Sequence, residues 1–297
     1  MGFKDPQGIT EAATSAGAAK AELAAPKALA AGFLAGAFIA LGGLLAVSAS
    51  AGLDPKTWGA LPTLVTGATF SVGLMLVVIA GSELLTGNMA LIPLAVLRRR
   101  ASLGGLARNW ALVLAGNLLG ALFVAYFLAV QTGVLTADAP LARLTAIAVA
   151  KAHTETHWQV FLRGIGCNWL VCLAVWMALG AQDIGGKILA IFFPVMAFVA
   201  VGFDHVVANM FFLPAAIFAG VPGIGWGDAA ANWLFAGLGN VVGGGLFVAC
   251  GYWFLYGRES GPPPAFEATL AEVTPLRAAA ATASSSRAET GPAFTQA

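Results

Sequence analysis

Long stretches of this chain carry no charged residue, and their length restricts the fold more than any other feature. A helix that crosses a bilayer needs about 20 mostly apolar residues. Five uncharged stretches reach that length or nearly so, at residues 28–53, 60–82, 110–137, 164–182 and 229–257. A sixth stretch, residues 188–226, is interrupted only by Asp204 and His205, and a short run, residues 84–97, follows Glu83. The pattern predicts an all-α membrane protein with six transmembrane helices, of which helices 2 and 5 are broken.

The composition agrees with a membrane protein and excludes several other classes. Hydrophobic residues make up 59% and charged residues 10% of the 297 residues, whereas soluble domains carry roughly 25% charged residues. A soluble enzyme and a disordered protein are therefore excluded, and the net charge of +1 argues against a nucleic-acid partner. The sequence has no Walker A motif and no dinucleotide fingerprint, which argues against ATP-driven transport by this chain alone. It also lacks metal-ligand spacing, so no cofactor and no metal site are predicted.

Basic residues in the loops predict the orientation. Arg98, Arg99, Arg100 and Arg108 lie in one short loop, which six crossings place on the same side as both termini. The positive-inside rule then predicts a multi-pass protein of the inner (plasma) membrane with cytoplasmic termini. Residues 1–27 form a cytoplasmic segment, either an amphipathic surface helix or a frayed tail. Residues 28–257 form the transmembrane domain, and residues 258–297 are interpreted as a disordered cytoplasmic tail.

A repeated motif indicates that the chain contains a duplication. The first copy reads Gly-Ser-Glu-Leu-Leu-Thr-Gly-Asn-Met from Gly81, and the second reads Gly-Phe-Asp-His-Val-Val-Ala-Asn-Met from Gly202. An Asn-Trp pair follows each copy, at Asn109 and at Asn232, with the same downstream Gly-Asn spacing. Each half then holds three crossings, and an odd number requires opposite insertion. We therefore predict a 3+3 inverted repeat, in which the site lies where the two broken helices meet.

The ionisable residues within the apolar runs are Glu83, Asp204 and His205. Such residues are expensive in hydrocarbon and indicate function by default. Glu83 and Asp204 occupy equivalent positions, however, so we interpret both as structural groups that accept hydrogen bonds from free backbone N–H groups at the helix breaks. Asn88 and Asn209 are interpreted as helix caps.

His205 has a different interpretation, because its repeat partner is Leu84 and repair of the backbone does not require it. An imidazole can donate a hydrogen bond or a proton to an anion. We predict that Thr86 lies near His205 across the pseudo-axis. Thr86 either orients the imidazole or is a small capping residue.

These motifs identify a family resemblance. Residues 81–88 and 202–211 resemble the two signatures of the formate/nitrite transporter family, and residues 163–176 resemble its fourth helix. The resemblance covers about residues 27–257. It implies a pentamer of aquaporin-like protomers, each with its own pore for small monovalent anions of weak acids such as formate, nitrite or hydrosulfide.

The resemblance also implies site residues. His205 matches the central pore histidine, Thr86 the threonine that contacts it, and Asn168 a polar pore residue. Lys151 matches a lysine that attracts anions into the outer vestibule. The apolar constriction corresponds to Phe70, Leu74, Leu84, Leu85 and Phe198. Two positions depart from the family: Leu85, where Phe is common, and Asp204, where Glu is frequent.

The sequence therefore predicts a channel or transporter for formate or nitrite, with histidine-assisted passage that is pH-dependent or proton-coupled. The opening Gly-Ser-Glu-Leu with Thr-Gly-Asn looks somewhat more like nitrite-type members. Alternatives are a hydrosulfide or short-chain carboxylate channel of the same fold and an aquaporin-like neutral-solute channel, although the Asn-Pro-Ala motifs of aquaporins are absent. A membrane enzyme is disfavoured, because no nucleophile accompanies His205 and Asp204. The expected partners are the anion, the bilayer and further copies of the chain.

Overall fold

A computed structural model describes residues 2–257, and their regular structure is helical apart from an isolated bridge between Phe3 and Ala181. The helices are α1 (Pro6–Glu22), α2 (Ala25–Ser50), α3 (Pro55–Trp58), α4 (Leu61–Ala80), α5 (Leu85–Leu97), α6 (Leu103–Phe123), α7 (Asp138–Val149), α8 (His157–Gly180), α9 (Ile184–Ala200), α10 (Val206–Phe218) and α11 (Trp226–Val241). Residues Val124–Val130, Ala150–Thr154, Val242–Cys250 and Trp253–Gly257 continue α6, α7 and α11 with π-helical geometry.

The helices reproduce the six predicted crossings. Among the described residues, five helical stretches are long and apolar enough to span a bilayer: Ala25–Ser50, Leu61–Ala80, Leu103–Val130, His157–Gly180 and Trp226–Gly257. The second crossing is completed by the short helix α5, and the fifth consists of α9 and α10. The prediction of an all-α membrane fold with broken second and fifth crossings is confirmed. The opposite insertion of the two halves stays a prediction.

Both breaks begin at a glycine. Gly81 ends α4 with φ of +84°, and Gly202 follows α9 with φ of +79°. A residue in this left-handed region ends a helix, and glycine adopts it without steric strain. The chain then runs extended for a few residues before α5 and α10 begin. The two glycines thus fix where the membrane helices are interrupted.

The N-terminal segment forms α1, which packs against α5 and α8. One face of α1 is buried and contains small side chains and threonines: Thr10, Ala13, Thr14, Gly17 and Ala21. Arg98 and Arg100, which follow α5, form ion pairs with Glu11 at 2.7 and 3.1 Å. At least one face of α1 is therefore occupied by protein rather than lipid. The predicted disordered tail, residues 258–297, lies outside the described residues.

Glycines let two pairs of membrane helices approach closely. A Cβ atom on Gly120 of α6 would overlap the carbonyl oxygen of Phe33 on α2, and one on Gly239 of α11 would overlap that of Phe161 on α8. Close backbone approach through small residues is a common way of packing helices in lipid. These contacts join α2 to α6 and α8 to α11, and they hold the frame in which the broken helices sit.

We predict that Gly120→Ala destabilises the folded protein by about 1–3 kcal/mol, because the added methyl group forces α2 and α6 apart. The thermal midpoint of the detergent-solubilised protein, followed by size-exclusion chromatography, measures this. Gly237→Ala is the matched control, since its Cβ would lie 3.7 Å from Val206 Cγ2 in ordinary contact. An equal midpoint for the two variants would contradict the close approach.

Candidate functional site

The two helix breaks meet at Thr86 and His205. Thr86 is in the first turn of α5, and His205 directly precedes α10. The Thr86 hydroxyl oxygen lies 2.8 Å from His205 Nε2, and both residues are buried. The N-termini of two helices, each with a partial positive charge, therefore come close together inside the protein. The structure thus brings together the two residues that the motif spacing paired.

Asparagines from the following helices repair the backbone at each break. The side-chain oxygen of Asn117 accepts from the Leu85 N–H at 3.0 Å, and its amide donates to the carbonyls of Gly32 and Glu83. Asn240 accepts from the Val206 N–H at 2.9 Å and donates to the carbonyls of Gly164 and Asp204. The two asparagines lie 123 residues apart, and each makes the same three kinds of bond in its own half of the chain.

The carboxylates at the breaks have a different role from the one predicted. Glu83 accepts from Lys20 Nζ at 2.7 Å, and its other oxygen accepts from the Asn88 amide at 2.8 Å. Asp204 accepts from Lys151 Nζ at 2.6 Å and from the Asn209 amide at 2.8 Å, both on Oδ1. The prediction that these carboxylates accept from backbone N–H groups is wrong, because Asn117 and Asn240 take that position.

The prediction that Asn88 and Asn209 cap helices is also wrong. Each lies in the fourth position of its helix, whereas a cap precedes the first. Their amides instead link the acid to a second asparagine: Asn88 donates to Asn109 at 2.9 Å and Asn209 to Asn232 at 2.7 Å. These four asparagines and the two acids remain structural residues of the breaks, but through side-chain networks.

His205 takes part in starting α10, contrary to the argument from its repeat partner. Its Nδ1 accepts a hydrogen bond from the Ala208 N–H at 3.1 Å. Since Nδ1 is the acceptor, the hydrogen of the neutral ring is on Nε2 and points at the Thr86 hydroxyl oxygen. A second proton on the ring would break the bond to Ala208. The geometry therefore favours a neutral imidazole that donates through Nε2.

Asn168 joins the two breaks from α8. Its amide donates to the carbonyls of Thr86 at 3.1 Å and Asn240 at 2.7 Å, and its side chain is fully buried. Cys172, one turn further along α8, also donates to the Thr86 carbonyl at 3.3 Å. Both amide hydrogens of Asn168 are thus engaged by backbone carbonyls, so Asn168 fixes the position of Thr86.

Two cavities approach His205 from opposite ends of the break region. The first, about 360 Å³, is lined by Lys151, Arg143 and Glu155 and reaches Phe70, Phe198 and His205. We call it the Lys151 vestibule. The second, about 430 Å³, is lined by Lys20, Lys27 and Glu83 and reaches Leu74 and Leu84. We call it the Lys20 vestibule. Each therefore has cationic groups and an apolar end.

Between the vestibules lies a void of about 10 Å³, lined by Ile39, Phe70, Leu74, Val171, Val195, Phe198 and His205. This is the lower limit of the space that one water molecule needs. The rings of Phe70 and Phe198 pack edge to face at 6.0 Å, and Phe198 stacks on His205 at 6.0 Å. Phe70, Leu74 and Phe198 thus lie where an apolar constriction was predicted, with Leu84 at the wall of the Lys20 vestibule.

Leu85 lies elsewhere. It lines a separate apolar cavity of about 470 Å³, together with its repeat partner Val206 and with Met89, Trp110 and Trp233. It does not line either vestibule or the void between them. The expectation that Leu85 shapes the constriction is therefore wrong. Successive residues of a helix point about 100° apart, so a neighbour of Thr86 faces another side.

Several cations of the vestibules were not predicted as site residues, and Lys20 and Arg143 are two of them. Lys20 of α1 repeats in the first half the acid contact that Lys151 makes in the second. It lies 63 residues before its acid, whereas Lys151 lies 53 residues before Asp204, so spacing alone does not identify it. Arg143 of α7 donates to the hydroxyls of Ser50 and Thr66, both at 3.0 Å. Burial lowers the pKa of the Arg143 guanidinium, which nevertheless stays protonated near neutral pH. No sequence signal marks Arg143.

Comparisons with known proteins agree with this geometry. A family model described as formate/nitrite transporter matches residues 7–254. The probable formate transporter of Methanothermobacter thermautotrophicus is 49% identical over 272 residues, which cover 86% of this chain and 98% of the relative. The formate channel BtFdhC of Bacillus thuringiensis is 44% identical over 259 residues, with 87% and 98% coverage. A solved pentameric formate channel with formate bound has a TM-score of 0.70 at 32% identity, with 79% and 98% coverage.

The fold and its two cation-lined vestibules define a membrane channel or transporter rather than an enzyme. The chain belongs to the formate/nitrite transporter family.

We predict that Asn240→Leu destabilises the protein by roughly 2–3 kcal/mol, because it removes the partner of the Val206 N–H and the bonds that Asn240 donates to the carbonyls of Asp204 and Gly164. Asn117→Leu removes the same three bonds in the other half and should act similarly. Thermal midpoints in detergent test this, with Thr132→Ala as a control at an exposed hydroxyl that donates to the Leu128 carbonyl four residues earlier. Midpoints of all three variants equal to that of the wild type would contradict the repair role.

Proposed function

We propose that this protein conducts small monovalent anions of weak acids, with formate as the first candidate, between the Lys20 and Lys151 vestibules past His205. The observation that carries this proposal is the convergence of two helix N-termini on the Thr86–His205 pair, at an apolar constriction between two cation-lined cavities. Formate is favoured over nitrite because two relatives with 44% and 49% identity are named for formate.

The vestibules favour anions before they reach the constriction. Lys151 and Arg143 line one vestibule, and Lys20 and Lys27 line the other. Lysine charge at a cavity mouth raises the local concentration of anions. The carboxylates paired with Lys20 and Lys151 hold each ammonium in place while offsetting part of its charge. Arg143, whose hydrogen bonds go to hydroxyls, adds a cation that is not offset in this way.

The constriction disfavours a naked ion. Phe70, Leu74 and Phe198 offer no polar group, and an isolated charge loses most of its hydration there. Two features lower this barrier. One is the partial positive charge of the two helix N-termini. The other is the Nε2–H group of His205, which can donate its hydrogen bond to an anion instead of to the Thr86 hydroxyl oxygen. A weak acid that takes up a proton is neutral and crosses the apolar segment far more easily.

The position of the proton on His205 determines whether the imidazole can supply the proton that neutralises the anion. Because Nδ1 accepts from Ala208, the ring has no free site for an extra proton. We therefore propose that His205 donates a hydrogen bond and that the proton which neutralises the anion comes from the vestibule. Proton-coupled passage follows from this arrangement, with acid rather than free anion crossing the constriction.

We also propose that the protein is a homopentamer in the plasma membrane with a cytoplasmic N-terminus. The pentameric formate channel of similar structure supports the assembly. The arginines that follow α5 support the orientation, since they lie on the same side of the predicted crossings as α1.

The substitution His205→Asn keeps one of the two hydrogen bonds of the histidine and removes the other. Asparagine is a good N-cap and keeps the bond to the Ala208 N–H, but it is too short to replace Nε2. We predict that formate uptake by proteoliposomes falls about 10- to 100-fold, the effect of losing one hydrogen bond to a charged group. Thermal midpoints show whether the variant is folded. Unchanged formate flux, or glycerol permeation without anion flux, would contradict the proposed pathway.

The pH dependence tests proton coupling in the wild type. If the neutral acid crosses, uptake at constant total formate should fall about tenfold per pH unit above the pKa of the substrate. Stopped-flow measurements over a pH series, with nitrite and hydrosulfide in parallel, give the slope and rank the substrates. A flux that does not change with pH would indicate a channel for the ionised anion.

A further inference from the structure

Two buried carboxyl groups meet at the edge of the Lys151 vestibule. Glu155 lies in the turn between the π-helical end of α7 and the start of α8, and Asp204 lies in the second helix break. The Glu155 side chain is 7% exposed and that of Asp204 0%. The two side chains are within hydrogen-bonding reach of each other. Two carboxyl groups so placed are unusual in a protein with few charges.

Each carboxyl group uses one oxygen for cationic or amide partners. Asp204 Oδ1 accepts from Lys151 and Asn209, and Glu155 Oε1 is paired with Arg163 of α8. The remaining atoms, Asp204 Oδ2 and Glu155 Oε2, are buried and have no donor among the described residues. Ionised carboxylates have only acceptor atoms, so a bond between these groups requires a proton.

The corresponding acid of the first half has no unpaired carboxyl oxygen among the described residues. Glu83, the repeat partner of Asp204, places one oxygen on Lys20 and the other on Asn88. In the second half the shorter aspartate receives both corresponding donors on a single oxygen. The second oxygen is left free for Glu155. The pair is therefore a departure from the duplicated network rather than part of it.

We propose that Glu155 and Asp204 form a proton-binding site that holds one proton between their carboxyl groups and sets the charge of the Lys151 vestibule. The consequence for anion flux rests on the function proposed above, whereas the proton site itself does not. Glu155 thus acts as a positioning and charge-setting residue at the mouth of the pathway.

The charged and titratable groups around the pair come from four elements. Lys151 follows α7, Arg163 and Cys167 belong to α8, and His205 follows Asp204 directly. Arg143 of α7 lines the same vestibule. With the proton bound, Lys151, Arg163 and the carboxyl pair carry one net positive charge, and without it they carry none. Loss of the proton therefore weakens the attraction of the vestibule for anions.

The midpoint of this change falls near neutral pH. Burial, followed by the negative charge of Asp204, raises the pKa of Glu155 to about 7. Below that pH the pair is protonated and the vestibule is positive. Above it the proton leaves and the vestibule loses its net charge. Anion entry is therefore favoured on the acidic side.

Infrared titration of the full-length protein in liposomes detects the proton directly. We expect a protonated-carboxyl band at about pH 6, where ordinary surface carboxyls are ionised, and its loss by about pH 8. Glu155→Gln should remove the band, since its amide can donate to Asp204 and accept from Arg163 without a titratable proton. Asp138→Asn, at an exposed position of α7, is the matched control and should keep the band.

Formate flux in the same liposomes measures the consequence. Formate protonation changes with pH in the same way for both proteins. Dividing the Glu155→Gln flux by the wild-type flux at each pH therefore removes this effect. We expect a ratio near one at about pH 6, which rises by up to about tenfold at about pH 8 because the wild type alone loses vestibule charge. The ratio for Asp138→Asn should stay constant over this range.

The outcomes separate the two proposals. A wild-type band that is absent, or that persists in Glu155→Gln, overturns the proton site. A band that titrates as expected together with a flux ratio that does not change with pH overturns its role in setting vestibule charge. If wild-type liposomes pass no anion at any pH, the proposed function fails, and the infrared titration still decides whether the pair binds a proton.

Discussion

Two interruptions of helical hydrogen bonding within a membrane domain are the feature on which the site depends. Hydrocarbon offers no partner to a free N–H or C=O group, so a broken helix persists only where the protein supplies one. Asn117 and Asn240 each satisfy one N–H and two carbonyls. With the backbone repaired by neutral amides, the helix N-termini can face each other without a carboxylate between them. The partial positive charge at Thr86 and His205 is thereby left available to a ligand.

The carboxylates at the breaks are therefore not needed to bond the free backbone groups and can bind other side chains. Glu83 and Asp204 hold the ammonium groups of Lys20 and Lys151 at 2.7 and 2.6 Å. Each pair also engages an asparagine inside α5 or α10, which ties the vestibule cation to the half-helix. A mobile lysine would sample many positions, whereas these are held at the cavity walls. The duplicated network thus places one anchored cation at the wall of each vestibule.

The sequence was sufficient for features that depend on local pattern. Uncharged length predicted the crossings, and the glycine-led motifs predicted both breaks and the proximity of Thr86 and His205. It failed where partners come from distant positions. Asn117 lies 32 residues beyond the N–H that it caps, and nothing in the local pattern says that its side chain points toward Leu85. The carboxylates, adjacent to the breaks in sequence, were therefore assigned a role that a neighbouring helix performs.

Side-chain direction and isolated cations were the other failures. Leu85 precedes Thr86 in sequence but faces a different cavity, because helical geometry separates neighbours by about 100°. Arg143 belongs to no motif, and only the tertiary fold brings it beside Ser50 and Thr66. Glu155 likewise has no counterpart in the repeated motif. Arg143 and Glu155 lie outside both copies of the motif, so no local pattern connects them to the site.

The distribution of charge along the pathway has a physical consequence. Full charges lie in the vestibules, and the polar groups beside the constriction are the helix N-termini and the imidazole of His205. A full positive charge at the constriction would bind an anion tightly and slow its release. Dipoles and a single donor favour an anion weakly and leave the neutral acid unhindered. The separation between full charges in the vestibules and weak polarity at the centre is therefore what the proposed passage of a weak acid, protonated on the way, requires.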